Sequence, residues 1–128
     1  MRLEFVPAGL ALENYGSDFS LLGEYINRDA ALYGEDWLHL SDDDYTNDAF
    51  VYLMPGSTHG YEDCLWISVF EVRSKGQGFG SRVILALTEL AKTMGMRGIA
   101  LHALDGDARM FYHKVGFVDD GENEILLF

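Results

Sequence analysis

The sequence predicts an α/β fold, and three observations carry that prediction. An apolar run at residues 65–72 leads into a glycine-rich turn at 75–81, and then into a segment whose apolar residues recur at helical spacing. Strand-like runs bounded by turn-forming residues occur on both sides of this unit. The chain has 128 residues and 48% hydrophobic content, which suits one core and one domain spanning 1–128, without repeats or linkers.

Taken in order, residues 1–7 alternate like a first strand. Residues 18–32 carry Phe19, Leu22, Tyr25, Ile26 and Leu32 at spacings that predict a helix. Short strands are expected at 37–41 and 49–54, on either side of a turn at 42–47, with a loop at 55–60 before the apolar strand at 65–72. From Phe79 onward, Val83, Leu87, Leu90 and Met94 share one helical face, and Gly95 is the expected stop. A strand at 98–104, a short helix at 107–114 and two strands around a tight turn at Asp119-Asp120-Gly121 complete the chain.

Composition excludes several function classes. No stretch approaches the roughly 18 apolar residues of a membrane span, and the N-terminus lacks the layout of a secretory signal, so a soluble cytoplasmic protein with no membrane partner is expected. The single cysteine, Cys64, rules out an internal disulfide and reads as a small buried residue at a strand start. The run Asp42-Asp43-Asp44 lacks the alternation and terminal Glu of a calcium loop and reads as a solvated turn. His39, His59, His102 and His113 show no metal-ligand spacing, so no metal is expected. His113 is expected to be exposed or to pack rather than to take part in chemistry.

Charge is unevenly placed. The net charge is −12, and residues 29–72 hold ten acids and no Lys or Arg, whereas residues 73–118 hold seven bases against three acids. An anion-binding half and a cation-receiving half follow, and the overall sign argues against nucleic acid. Solubility alone would also account for the acids.

The turn Lys75-Gly76-Gln77-Gly78-Phe79-Gly80-Ser81 is suited to phosphate. Its glycines leave backbone N–H groups room to converge on an anion at the start of a helix, where unpaired donors and the positive end of the dipole already point. A Walker-type loop needs its Lys after the glycines, and here Lys75 precedes them. A dinucleotide fingerprint needs a third Gly where Ser81 stands.

The remaining pattern resembles the pyrophosphate loop of the GNAT superfamily of acyl-CoA-dependent N-acetyltransferases, Arg/Gln-x-x-Gly-x-Gly/Ala, with Lys75 in the place of the usual Arg or Gln. The strand at 65–72 is similar to the family's fourth strand, and the run at 98–104 to its fifth. Residues 108–117, Ala-Arg-Met-Phe-Tyr-His-Lys-Val-Gly-Phe, resemble the family segment A-x-x-F-Y-x-K-x-G-F. The resemblance covers residues 64–117. It implies a mixed sheet of six to seven strands with a splayed fourth and fifth pair and about four helices.

It also implies a chemistry. Acetyl-CoA would be the acyl donor, its pantetheine arm pairing with the main chain of Phe70, Glu71 and Val72. Its pyrophosphate would sit on the amides of Gln77, Gly78, Phe79, Gly80 and Ser81, in a turn opened by Lys75 and Gly76, with Lys75 and Arg82 adding charge. Lys114, within the second motif, is placed with the cofactor contacts. Tyr112 matches the general acid that protonates the departing thiolate. Glu71, with Glu62 and Asp63 as alternatives, would accept the proton of a cationic primary amine, either a small polyamine-like molecule or a protein Lys or N-terminus. His59 is a minor candidate on the acceptor side. The competing reading is a non-catalytic GNAT-fold module that binds acyl-CoA or a protein partner.

Overall fold

β1 (Arg2–Pro7), exposed at every residue but Val6, runs antiparallel to β2 (Asp36–Ser41), which runs antiparallel to β3 (Asp48–Pro55). The later strands are β4 (Cys64–Val72), β5 (Gly98–Leu101), β6 (Val118–Asp120) and β7 (Asn123–Leu127). In this computed structural model, which describes residues 1–128, the seven strands form one mixed sheet in the order β1-β2-β3-β4-β5-β7-β6. Four α-helices accompany it: α1 (Ala8–Tyr15), α2 (Ser20–Arg28), α3 (Phe79–Thr93) and α4 (Gly106–Lys114). Both the strand count and the helix count agree with the expected architecture.

Internal contacts divide the chain into two units. The first comprises Met1–Tyr52 with Val69–Gly80, and the second Leu53–Ser68 with Ser81–Phe128. In the first unit the core is built from Ala8 and Ala11 of α1, Leu22 and Ile26 of α2, and Phe19, Trp37, Phe50 and Val69. In the second, β4 pairs parallel to β5 from Cys64↔Gly98 to Ile67↔Leu101, and β5 pairs antiparallel to β7. The registered β4–β5 pairs stop at Leu101, whereas β4 runs on to Val72.

Several boundaries differ from the sequence expectation for local reasons. Helix α1 carries no signal in the sequence pattern. It contains Gly9, its N-cap Pro7 offers no side-chain bond, and its buried positions are the small Ala8 and Ala11, so packing rather than propensity or an apolar stripe makes the helix. The helix expected over 18–32 is α2 followed by a 3-10 turn at Ala30–Gly34. The break is at Asp29, which is extended and whose Oδ1 accepts the Ala31 N–H at 3.0 Å. The strand expected over 98–104 ends at Leu101, and the hairpin turn falls at Gly121-Glu122, one step later than expected. On α3 the core face is Val83, Ile84, Leu87 and Ala91, while Met94 is exposed. Gly95 does end that helix, with Met96 N–H bonded to the Ala91 carbonyl at 2.9 Å and Gly95 N–H to that of Lys92 at 3.0 Å.

Two acidic residues of the β2–β3 region are buried, and for Asp42 this departs from the solvated turn expected of the Asp42-Asp43-Asp44 run. Asp42 accepts hydrogen bonds from Asn47 N–H (3.1 Å), Asn47 Nδ2 (3.0 Å) and Thr46 Oγ1 (3.1 Å), and the Asn47 backbone bond leads in holding its carboxyl well below the usual range. Asp43 and Asp44 are solvated as expected. Asp48 meets Arg73 Nε at 2.6 Å, Arg73 Nη2 at 3.0 Å and His39 Nε2 at 2.8 Å. Burial pushes the Asp48 pKa up, but the bonds from Arg73 and His39 overcome this and leave it lowered. Arg73 also pairs with Asp18.

A carboxylate whose folded pKa is depressed stabilises the fold above its unfolded pKa of about 3.9, and that contribution is lost as pH falls through the lower folded value. Asp48→Asn therefore lowers stability at pH 7 by about 2–3 kcal/mol, because it leaves the Arg73 and His39 donors poorly matched. Urea denaturation should show the gap between wild type and variant narrowing below about pH 4.

Candidate functional site

In the first unit, the glycine-rich turn emerges from the end of β4. Lys75, Gly76, Gln77 and Gly78 are exposed, whereas Phe79 is buried with 2% exposure and pins the turn where α3 begins. Gly76 and Gly78 have φ of +79° and +75°. An added Cβ at either would meet no atom within 4 Å, so the requirement for glycine here is conformational rather than spatial. Left-handed residues at alternate positions are a backbone pattern from which anion-binding nests are built.

Phe70, Glu71 and Val72, the last residues of β4, are half-buried. The Glu71 carboxylate is engaged by α2, where Oε1 accepts the Leu21 N–H at 3.0 Å and Oε2 accepts the Ser20 hydroxyl at 3.1 Å. These residues form the first turn of α2, whose N-cap, Phe19, has no polar side chain to offer. Glu71 thus serves as the cap from another element, placing negative charge at the positive end of the helix. No sequence spacing reveals this, because the Glu71 and Leu21 partners are 50 residues apart.

The second unit holds Ser81 and Arg82 in the first turn of α3, and Tyr112 and Lys114 near the end of α4. Ser81, Arg82 and Lys114 are exposed. Helix α4 starts where Asp105 Oδ1 accepts the Ala108 N–H at 2.8 Å. It ends in a two-bond stop: Phe117 N–H reaches the Tyr112 carbonyl at 3.0 Å, and Gly116 N–H reaches that of His113 at 3.2 Å, with Gly116 at φ +108°. Phe117 is buried and its ring meets that of Tyr112 edge-on at 5.4 Å. The Gly-Phe pair of the second motif is therefore the physical clamp that orients Tyr112.

Tyr112 is 9% exposed, and burial, with the nearby Glu124 carboxylate, raises its pKa well above the ordinary tyrosine value. Glu124 itself is buried and lies outside the sequence expectation; the period-two reading of β7 would have flagged it as a carboxylate on the same side as Leu126. His59 is stacked on Trp66, with ring centroids 3.9 Å apart. Cys64 is buried and free, and burial raises its thiol pKa, away from the reactive thiolate form. Among the seven bases counted in residues 73–118, Arg73 is committed to Asp48 and Asp18, and Arg109 to Asp119.

No family model matches the chain. Its structure, however, is similar to those of solved acetyltransferases. AtaTR bound with AcCoA aligns over 98% of this chain and 92% of its own, at a TM-score of 0.62 and 11% identity. A putative acetyltransferase of the GNAT family from Desulfovibrio desulfuricans aligns over 98% of both chains at 0.61 and 15% identity. The spermidine/spermine N-acetyltransferase SpeG from Vibrio cholerae, solved in complex with manganese ions, aligns over 98% of this chain and 91% of its own at 0.62 and 17% identity. The chain therefore has the GNAT fold.

Replacing Gly116 with Ala puts a Cβ on a positive-φ residue and 3.3 Å from Leu126 Cδ1. The expected cost is about 1–2 kcal/mol, measured by chemical denaturation. A loss below a few tenths would show that this helix stop does not hold Tyr112 in place.

Proposed function

We propose that the protein is an acyl-CoA-dependent N-acetyltransferase that moves an acetyl group from acetyl-CoA to a cationic primary amine. The observation that carries this reading is the left-handed pair Gly76 and Gly78 leading into α3, in a chain with the GNAT fold. Similar proteins include one solved with AcCoA and a spermidine N-acetyltransferase, which supports this donor and an acceptor of the polyamine kind. A protein Lys or N-terminus has the same chemistry. The net charge of −12 favours such acceptors and disfavours a nucleic-acid phosphate backbone.

Each residue has a proposed role. The main chain of Phe70 and Val72 pairs with the pantetheine arm, and the amides of Gln77 to Ser81 receive the pyrophosphate, with Gly76 shaping the turn. Lys75, Arg82 and Lys114 supply positive charge. The acceptor amine must first lose a proton, since a model Lys titrates at about 10.4. Glu71 is proposed to take that proton through lone pairs its α2 contacts leave open, directly or through water. The amine nitrogen then attacks the thioester carbonyl carbon, the C–S bond breaks, the thiolate takes the Tyr112 hydroxyl proton, and the second proton shed by the new amide nitrogen returns through water to the Tyr112 phenolate. The raised Tyr112 pKa keeps that proton in place at neutral pH.

Calorimetry with acetyl-CoA and a turnover screen across polyamines and Lys peptides, reading free thiol and acceptor mass, test the reading together. Tyr112→Phe should keep acetyl-CoA binding and lose about 10²–10⁴-fold in rate. If acetyl-CoA binds and no amine is modified, the protein is a binding module instead. Because burial raises the Tyr112 pKa, kcat should show no alkaline fall up to the ordinary tyrosine value of about 10. A descending limb near pH 9 that disappears in Tyr112→Phe would contradict that assignment.

A further inference from the structure

We propose that the second unit carries a site for a divalent transition-metal ion, ligated by His113 of α4, Asp119 of β6 and Glu124 of β7. His113 Nε2 lies 2.9 Å from Asp119 Oδ1 and 4.0 Å from Glu124 Oε2, and the three donor atoms all lie within 4.8 Å of one another. An ion about 2.1 Å from each donor would set them about 3–4 Å apart, a spacing this cluster meets with sub-ångström adjustment. The sequence hides the site because the ligands come from a helix end and two paired strands, at separations matching no ligand motif.

The independent observation is Glu124. Its side chain is 4% exposed, yet Oε2 has no hydrogen-bond partner. A buried carboxylate oxygen without a donor is costly, and such groups call for a counter-charge or ligand. The Arg109 guanidinium does not meet that need. Its Nε is 3.9 Å from the other oxygen, Oε1, while its firm contacts are to Asp119. His113 Nε2, at 4.0 Å, is also beyond hydrogen-bond reach of Oε2. An ion between them would satisfy Oε2 and the imidazole nitrogen at once.

One imidazole with two carboxylates selects the zinc and manganese class over magnesium or calcium, which prefer all-oxygen shells. A cavity of about 300 Å³ lined by Asp119 and Glu124, with Asp105, Arg109 and Glu122, leaves room for further water ligands. Ligation needs the Nε2 lone pair, and so the tautomer with hydrogen on Nδ1; without an ion, Nε2–H donates to Asp119 instead. Arg109 is a competitor, since its guanidinium holds Asp119. Its side chain is 55% exposed and can swing into solvent when an ion takes its place. This proposal rests on the second unit alone and is independent of the acyltransferase reading.

The test is calorimetric titration of the full chain, freed of metal by chelator, with Zn²⁺, followed by Co²⁺ titration read in the visible spectrum. One equivalent should bind, and His113→Ala and Glu124→Gln should each lower affinity at least about tenfold with circular dichroism unchanged. His113 is 39% exposed, so its truncation leaves the core intact. Arg109→Gln should raise affinity, because it removes the competing cation; a merely structural Arg109 would not produce that sign. Absence of a stoichiometric binding event up to millimolar Zn²⁺, or full affinity in His113→Ala, overturns the site.

Discussion

Backbone in the left-handed region is the constraint on which both motif segments depend. L-residues other than glycine pay a steric cost there, so the chain can make the turn at Gly76 and Gly78, or stop α4 at Gly116, only where a side chain is missing. In the first case the consequence is an exposed turn with two left-handed glycines just before α3. In the second it is a helix whose last turn is tied down, with Phe117 folded against Tyr112. Neither outcome depends on specific side-chain chemistry at the glycine.

Acidic residues do more structural work than their number suggests. Asp48 joins Arg73 and His39, Asp29 opens the 3-10 turn, Glu71 caps α2 and Asp105 caps α4. These carboxylates are held by donors that burial or a helix end would otherwise leave unmatched. Asp43, Asp44 and Glu62, by contrast, are exposed. Among the bases, Arg73 and Arg109 are paired within their own units.

Much of the fold was legible because its signals are local. The apolar run of β4, the 3.6-residue pattern of α3 with Gly95 behind it, and the turn near Gly121 each report on neighbours a few residues away. Where packing decides, that legibility ended. Helix α1 is built on two alanines whose burial no pattern announces, and the break after α2 depends on one Asp side chain choosing the backbone two residues ahead. Strand β5 stops at Leu101 although the apolar residues run further.

By itself the sequence determined the phosphate-suited turn, the resemblance carried by the two motifs, and the placement of Tyr112 on a short helix, since glycine spacing and helical patterns are set within a few residues. Only the tertiary structure decided what the carboxylates do. Glu71 meets α2 and Glu124 is buried beside Tyr112, His113 and Asp119 through contacts across different elements, and burial raises the pKa of Tyr112. Desolvation and pairing depend on what surrounds a group in space, and a one-dimensional order of residues does not contain that information.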